Sequence, residues 1–184
     1  MPPERKINMS ILEMFGLAPG KGRKRSASDE SESLRKISRQ LEDMDPEEAR
    51  YLSAFAYLLG RVAYADREVS PEEAEMMEKI LIERGRLTAQ QAVLIIEIAR
   101  QQNRLLGHID NFLVTREFNR LASLEQKKDL LACLYAIGAS DHSVSNLEDN
   151  EIRMIAGELL LEHSDFIAIR SEFRDYLDIL KHKE

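Results

Sequence analysis

Apolar residues recur along most of this chain at helical spacing, and the breaks between the runs carry helix-start and helix-stop chemistry. Asp45-Pro46-Glu47-Glu48 supplies an N-cap, a proline at the first helical position and an acidic first turn. Leu52, Phe55, Leu59 and Val62 follow at steps of three or four, in a helix so apolar around its circumference that it is predicted to be central. Ser70-Pro71-Glu72-Glu73 reads as a capping box that opens a second helix, stopping at Gly85. Thr88-Ala89-Gln90-Gln91 opens a third, carrying Val93, Ile96 and Ala99 and expected to end near Gly107. Further helices are predicted across Phe112 to Leu121, from the Ser123 cap with Gln126 at N3, and from Ser145 with Glu148 at N3. A last one is expected after Ser164, with Phe166, Ile169, Phe173, Leu177 and Leu180 on one buried stripe. No segment alternates apolar and polar residues long enough for a strand. The predicted class is all-α: one compact bundle of about seven helices over residues 34–184, preceded by a flexible tail over 1–33.

Part of this pattern occurs twice. Shifting the chain by 75 residues places Asp66 on Asp141, Val69 on Val144, Ser70 on Ser145 and Glu73 on Glu148. Leu59 then falls on Leu134, Val62 on Ile137 and Ile80 on Ile155. Each copy reads as a buried helix, an Asp at its end, a short turn and a capped helix. A helix pair with apolar faces cannot bury itself alone, so the copies are expected to pack together as a pseudo-symmetric unit.

Composition narrows the function. With 43% hydrophobic, 32% charged and 6% aromatic residues and no Trp, the 184-residue chain suits a soluble helical protein. It has no apolar run of about 20 residues to span a membrane. A signal peptide's apolar region is also lacking, which makes the cytoplasm the expected location. The single cysteine, Cys133, forms no intramolecular disulfide and offers no zinc pair. A net charge of -7 disfavours nucleic acid and leaves divalent cations or basic partners as the natural ligands. The tail contains Ile7, Ile11, Leu12, Phe15 and Leu17 ahead of Lys21-Gly22-Arg23-Lys24-Arg25. Residues 5–25 therefore have the makings of a short amphipathic segment for a partner groove or an anionic membrane surface. The plainer reading is a leader with a transient turn, because isolated helices this short are marginal in water.

The duplicated segments are Ala65-Asp66-Arg67-Glu68-Val69-Ser70-Pro71-Glu72-Glu73 and Ser140-Asp141-His142-Ser143-Val144-Ser145-Asn146-Leu147-Glu148. The second continues through Glu151-Ile152-Arg153-Met154-Ile155-Ala156 to Glu162-His163-Ser164-Asp165-Phe166. Over about Ala49 to Lys181 the chain resembles the TerB-like tellurite-resistance proteins, whose repeated signature is an Asp, usually followed by Gly, then a hydrophobic residue and a helix-starting Glu. The resemblance implies an all-helical, non-enzymatic protein associated with tellurite resistance or stress response, binding a divalent metal through the repeated acidic positions. It also implies a fold shared with the N-terminal regions of some membrane-bound J-domain co-chaperones, although no His-Pro-Asp triplet occurs here. Arg67 and His142 stand where glycine is usual, so a turn requiring positive φ would be strained at both positions.

The residues themselves leave two readings open. Hard cations need several converging oxygens, and Asp66, Glu68 and Glu73, or Asp141 and Glu148, bring carboxylates from a helix end and the next helix start towards one point. Calcium is the favoured ion. An EF-hand is excluded, because Pro71 and Met77 occupy the positions that need Gly and the bidentate Glu. Alternatively, Glu73 and Glu148 are fully explained as capping residues, and Asp66 and Asp141 as acceptors for turn amides. The first reading makes the protein a cytoplasmic cation-binding stress protein acting through protein partners. The second makes it a metal-independent helical scaffold or co-chaperone-like module. Enzyme chemistry is disfavoured: His108, His142, His163 and His182 form no ligand pair, Cys133 reads as a core residue, and no phosphate loop or nucleophile elbow occurs. Phe112, Phe118, Phe166 and Phe173 fit core stripes, and Arg100, Arg104, Arg116 and Arg120 a solvated, paired face.

Overall fold

A computed structural model describes residues 32–63, 70–101 and 111–181. Among these residues the helices are α1 (Glu32–Glu42), α2 (Pro46–Ala63), α3 (Pro71–Glu83), α4 (Ala89–Arg100), α5 (Asn111–Leu121), α6 (Leu124–Gly138), α7 (Asn146–Glu158), α8 (His163–Glu172) and the short α9 (Asp178–Lys181), with short turns where the connection between them is described. Two of the turns are 3-10, Ala139–Asp141 and Arg174–Tyr176, and the fold is all-α, as expected. α1 starts inside the expected tail, whose remainder lies outside the described residues.

α2 is the central helix, and it packs on α1, α4, α5, α6 and α7. Leu52, Phe55, Leu59 and Val62 are buried on one half of its circumference and Ser53, Ala54, Tyr57 and Gly60 on the other. Its buried serine hydroxyl, Ser53, is satisfied by donating to the Ala49 carbonyl at 2.8 Å. Near its start Tyr51 stacks on Phe118 of α5, with ring centroids 5.3 Å apart, and Phe55 meets the same ring edge-on. The two copies of the repeat meet where α6 packs on α2 and α3, and where α7 packs on α2. Leu59, Leu134, Val62, Ile137 and Ile155, matched by the repeat, are all buried.

Three departures from the sequence expectation are informative. The stripe after Ser164 is buried from Phe166 to Leu177, but it does not lie on one helix. α8 ends at Glu172 with Phe173 as its cap, a 3-10 turn follows, and Leu177 is extended at φ -74°, ψ 117°. The chain opens there because Val144 offers a ladder partner: its N–H donates to the Tyr176 carbonyl at 2.8 Å, and Asp178 N–H donates to the Val144 carbonyl at 3.1 Å. Phe112 is 65% exposed and not core; its ring lies beneath the Arg116 guanidinium. α4 closes at Arg100 with a cap on Gln101, ahead of Gly107, which lies outside the described residues.

α6, α7 and α8 are tied by a buried polar knot. Asp149, 3% exposed, accepts from Tyr135 at 2.8 Å and takes both arms of Arg170 at 2.8 and 2.7 Å. Burial pushes the Asp149 carboxyl up, but the Arg170 and Tyr135 bonds outweigh it and hold the group below the usual carboxylate range. Burial, then the Asp149 bond, raises the Tyr135 phenol. Helix ends use space and handedness. At the end of α3, a Cβ on Gly85 would sit 2.6 Å from the Leu81 carbonyl oxygen, so only glycine fits. Leu160 closes α7 at φ 59°, with Leu160 and Leu161 N–H bonding back to Gly157 and Ala156.

Leu160 is largely exposed in a left-handed conformation that a side chain disfavours, so Leu160→Gly is expected to raise unfolding stability by about 1 kcal/mol in urea titration. Asp149→Asn should cost about 3 kcal/mol, because Arg170 keeps its charge in a poorly solvated place. Asp149 has a depressed folded-state pKa, so its contribution is complete above the unfolded value and disappears as pH falls through the folded one. Urea midpoints between about pH 5 and pH 3 should therefore fall steeply in the wild type and less steeply in Asp149→Asn.

Candidate functional site

Both acidic turns open their following helix with the same geometry. Ser70 sits at φ -66°, ψ 161° and Ser145 at φ -64°, ψ 159°. In each, the serine hydroxyl accepts from the N3 amide at 3.2 Å while the N3 glutamate returns to the serine amide at 2.8 Å. Glu73 and Glu148 are thus placed identically, each with Oε2 engaged by its cap. Glu148 directs Oε1 back over the end of α6, 3.9 Å from where a Cβ on Gly138 would lie. Asp66 and Glu68 lie outside the described residues.

The second turn is complete. From the 3-10 turn Ala139–Asp141 the chain reverses at His142, which adopts φ 71° and ψ 13°. The left-handed conformation expected of glycine is therefore carried here by histidine, one of the residue types that tolerate it better than most. Asp141 is exposed and accepts from the Ser143 amide at 3.2 Å, as an Asx turn does. Ser143 donates its hydroxyl to Asp178 Oδ1 at 2.6 Å, so two carboxylates meet one serine. Among the described residues no three His, Cys, Asp or Glu side chains come together closely enough to hold a metal ion.

A charged cluster joins the two copies at the end of α2. Arg61, in the last turn of α2 and 6% exposed, donates to Glu151 at 2.7 Å and to both oxygens of Glu158 at 2.6 and 3.1 Å. Thr115 also donates to Glu158 at 2.9 Å, and Asn119 to its carbonyl at 2.8 Å. Burial raises the Glu158 carboxyl, but Arg61 and Thr115 more than reverse this and leave it below its ordinary range. Burial opposes the charge on Arg61, and its two glutamates more than compensate. The sequence reading singled out none of Asp178, Arg61, Glu151 and Glu158. A cation inside an otherwise apolar helix was a visible signal for Arg61; Asp178 has none, because its partner is distant in the chain.

Other candidates resolve into structure. Cys133 is buried against the Ile80 carbonyl, and burial, with Asp129 adding, pushes its thiol up to about 12, which makes it unreactive. A cleft of about 520 Å³ gathers the starts of α2, α4 and α6. Its carboxylates are paired: Glu48 with Gln91 at 2.8 Å, Glu47 with Arg120 at 3.2 Å, Asp129 with Arg86 at 3.4 Å and Glu125 with Lys128 at 3.9 Å. His142 and His163 are exposed, while His108 and His182 lie outside the described residues, as do Arg104 and residues 5–25. No helix of the described residues is long and apolar enough to cross a membrane.

Comparison with known proteins gives one match. A family model described as tellurite resistance protein TerB covers residues 52–171, from the first turns of α2 to the last turn of α8 and through both acidic turns. No curated protein and no solved structure matches the chain. With more than half of its length matched, and the duplicated turns inside the match, this chain belongs to the TerB family of tellurite resistance proteins.

Proposed function

We propose that the protein is a cytoplasmic stress-response member of the TerB family that binds a divalent cation, calcium in the first instance, and acts through protein partners rather than as an enzyme. Asp66, Glu68 and Glu73 of the first turn and Asp141 and Glu148 of the second would supply the oxygens. The observation that supports this reading most is the identical placement of Glu73 and Glu148, each holding its cap with one oxygen. A carboxylate fixed in this way is oriented before a cation arrives and gives up little side-chain entropy on binding. Residues 5–25 are the natural partner-binding arm in this proposal, through their apolar positions and the basic run that follows.

A metal-independent interaction module is the second reading, and the same cap bonds favour it, since capping accounts for Glu73 and Glu148 without an ion. One pair of substitutions separates the two. Gln serves at N3 of a capping box as well as Glu does, so Glu73→Gln with Glu148→Gln is expected to shift stability by less than about 0.5 kcal/mol. The cation reading predicts that this variant loses at least about tenfold in calcium affinity by isothermal calorimetry, and that Asp66→Ala with Asp141→Ala abolishes the heat. Absence of heat from wild-type protein at millimolar calcium or manganese would eliminate the cation reading and leave the interaction module.

A further inference from the structure

The segment after α8 does something at the second acidic turn that no sequence signal announces. Phe173 stacks on Tyr135 of α6, with centroids 5.5 Å apart, and lies beneath the Arg84 guanidinium at the end of α3. Arg84 also reaches Glu172 at 3.2 Å. From this anchored root the chain passes through its 3-10 turn, buries Leu177 and meets the acidic turn with three hydrogen bonds. Val144 N–H donates to the Tyr176 carbonyl, Asp178 N–H donates to the Val144 carbonyl, and the Ser143 hydroxyl donates to the Asp178 carboxylate. Together they hold both residues that follow His142, the one residue of the turn in a left-handed conformation. Two of the three bonds run to the backbone atoms of Val144, so without this segment the buried Val144 would lose both of its peptide-group partners.

We propose that residues 173–178 form a clasp that fixes the conformation of the second acidic turn, with Asp178 as a positioning residue. Asp141 reaches the Ser143 amide and Asp178 the Ser143 hydroxyl, so the clasp sets where the Asp141 carboxylate stands relative to Glu148. The clasp lies beyond residue 171, outside the span matched by the family model. Its consequence for cation binding rests on the reading given under Proposed function; its effect on the turn does not.

Asp178→Pro is the decisive variant. It removes both the amide and the carboxylate contacts, while proline is tolerated in the first turn of the following helix and Leu177 is already extended, as a residue before proline should be. In the full chain, hydrogen exchange at the Val144 amide is expected to accelerate about tenfold or more, with exchange in the core of α2 unchanged. Ser143→Ala, which deletes only the hydroxyl bond, should give a smaller acceleration and covers the case in which the proline variant does not fold. Unchanged exchange at Val144 in a folded Asp178→Pro, or in Ser143→Ala if the proline variant fails, would overturn the clasp. Calcium titration is the second arm: faster exchange with affinity lowered about tenfold supports positioning of the cation site, and faster exchange with unaltered affinity overturns that part. If wild-type protein takes up no calcium, the cation reading fails by itself and the exchange arm alone decides the clasp.

Discussion

A helix buried on every side must send its few polar groups somewhere, and the architecture here follows from how α2 does so. Each fully buried leucine or phenylalanine on it contributes about 1.5–3 kcal/mol, which requires neighbours all around its circumference. α1, α4, α5, α6 and α7 supply them. The polar ends of α2 are then fixed by what those neighbours present. Tyr57 donates to Asn111 at the start of α5, and Arg61 finds two glutamates on α7. Because α2 belongs to the first copy of the repeat and α7 to the second, this charged contact sets how the two copies sit against each other.

The same logic makes the second copy differ from the first. Tyr135, Asp149 and Arg170 form a buried ion pair with a phenol donor, whereas Gly60 and Ala74 stand at the positions the repeat matches to Tyr135 and Asp149. A buried pair adds little net stability over a good apolar contact, but it tolerates few alternative arrangements, since a misplaced helix would leave a charge without its partner. Here it sets the register of α7 and α8 on α6. The two caps are alike, while the buried groups of the helices that flank them are not.

What could be read from the sequence divides by distance along the chain. All four capping boxes, at Ser70, Thr88, Ser123 and Ser145, form as expected because each is settled within three residues. The centrality of α2 and the pairing of the copies followed from patterns that need no knowledge of partners. The left-handed turn at His142 was legible only through family resemblance, since nothing about histidine itself demands it. The break at Phe173 was hidden because the apolar stripe continues through it: a 3-10 turn and an extended residue keep Leu177 inward as a helix would. Arg61 with Glu158, Asp149 with Arg170 and Ser143 with Asp178 join residues far apart in sequence, where composition carries no register.

The bridge between Val144 and Leu177 also orders events in time. Helix caps form within nanoseconds to microseconds from neighbouring residues, whereas a contact across a long stretch of chain must wait for loop closure. α7 and α8 lie in the chain between the two bridged residues, so the second turn depends for its full shape on residues beyond both helices. A chain still emerging, with residues up to Glu172 available, can hold its caps and much of its core yet lack a finished second turn. Completion of that turn therefore reports that the chain has been made and packed as far as Asp178.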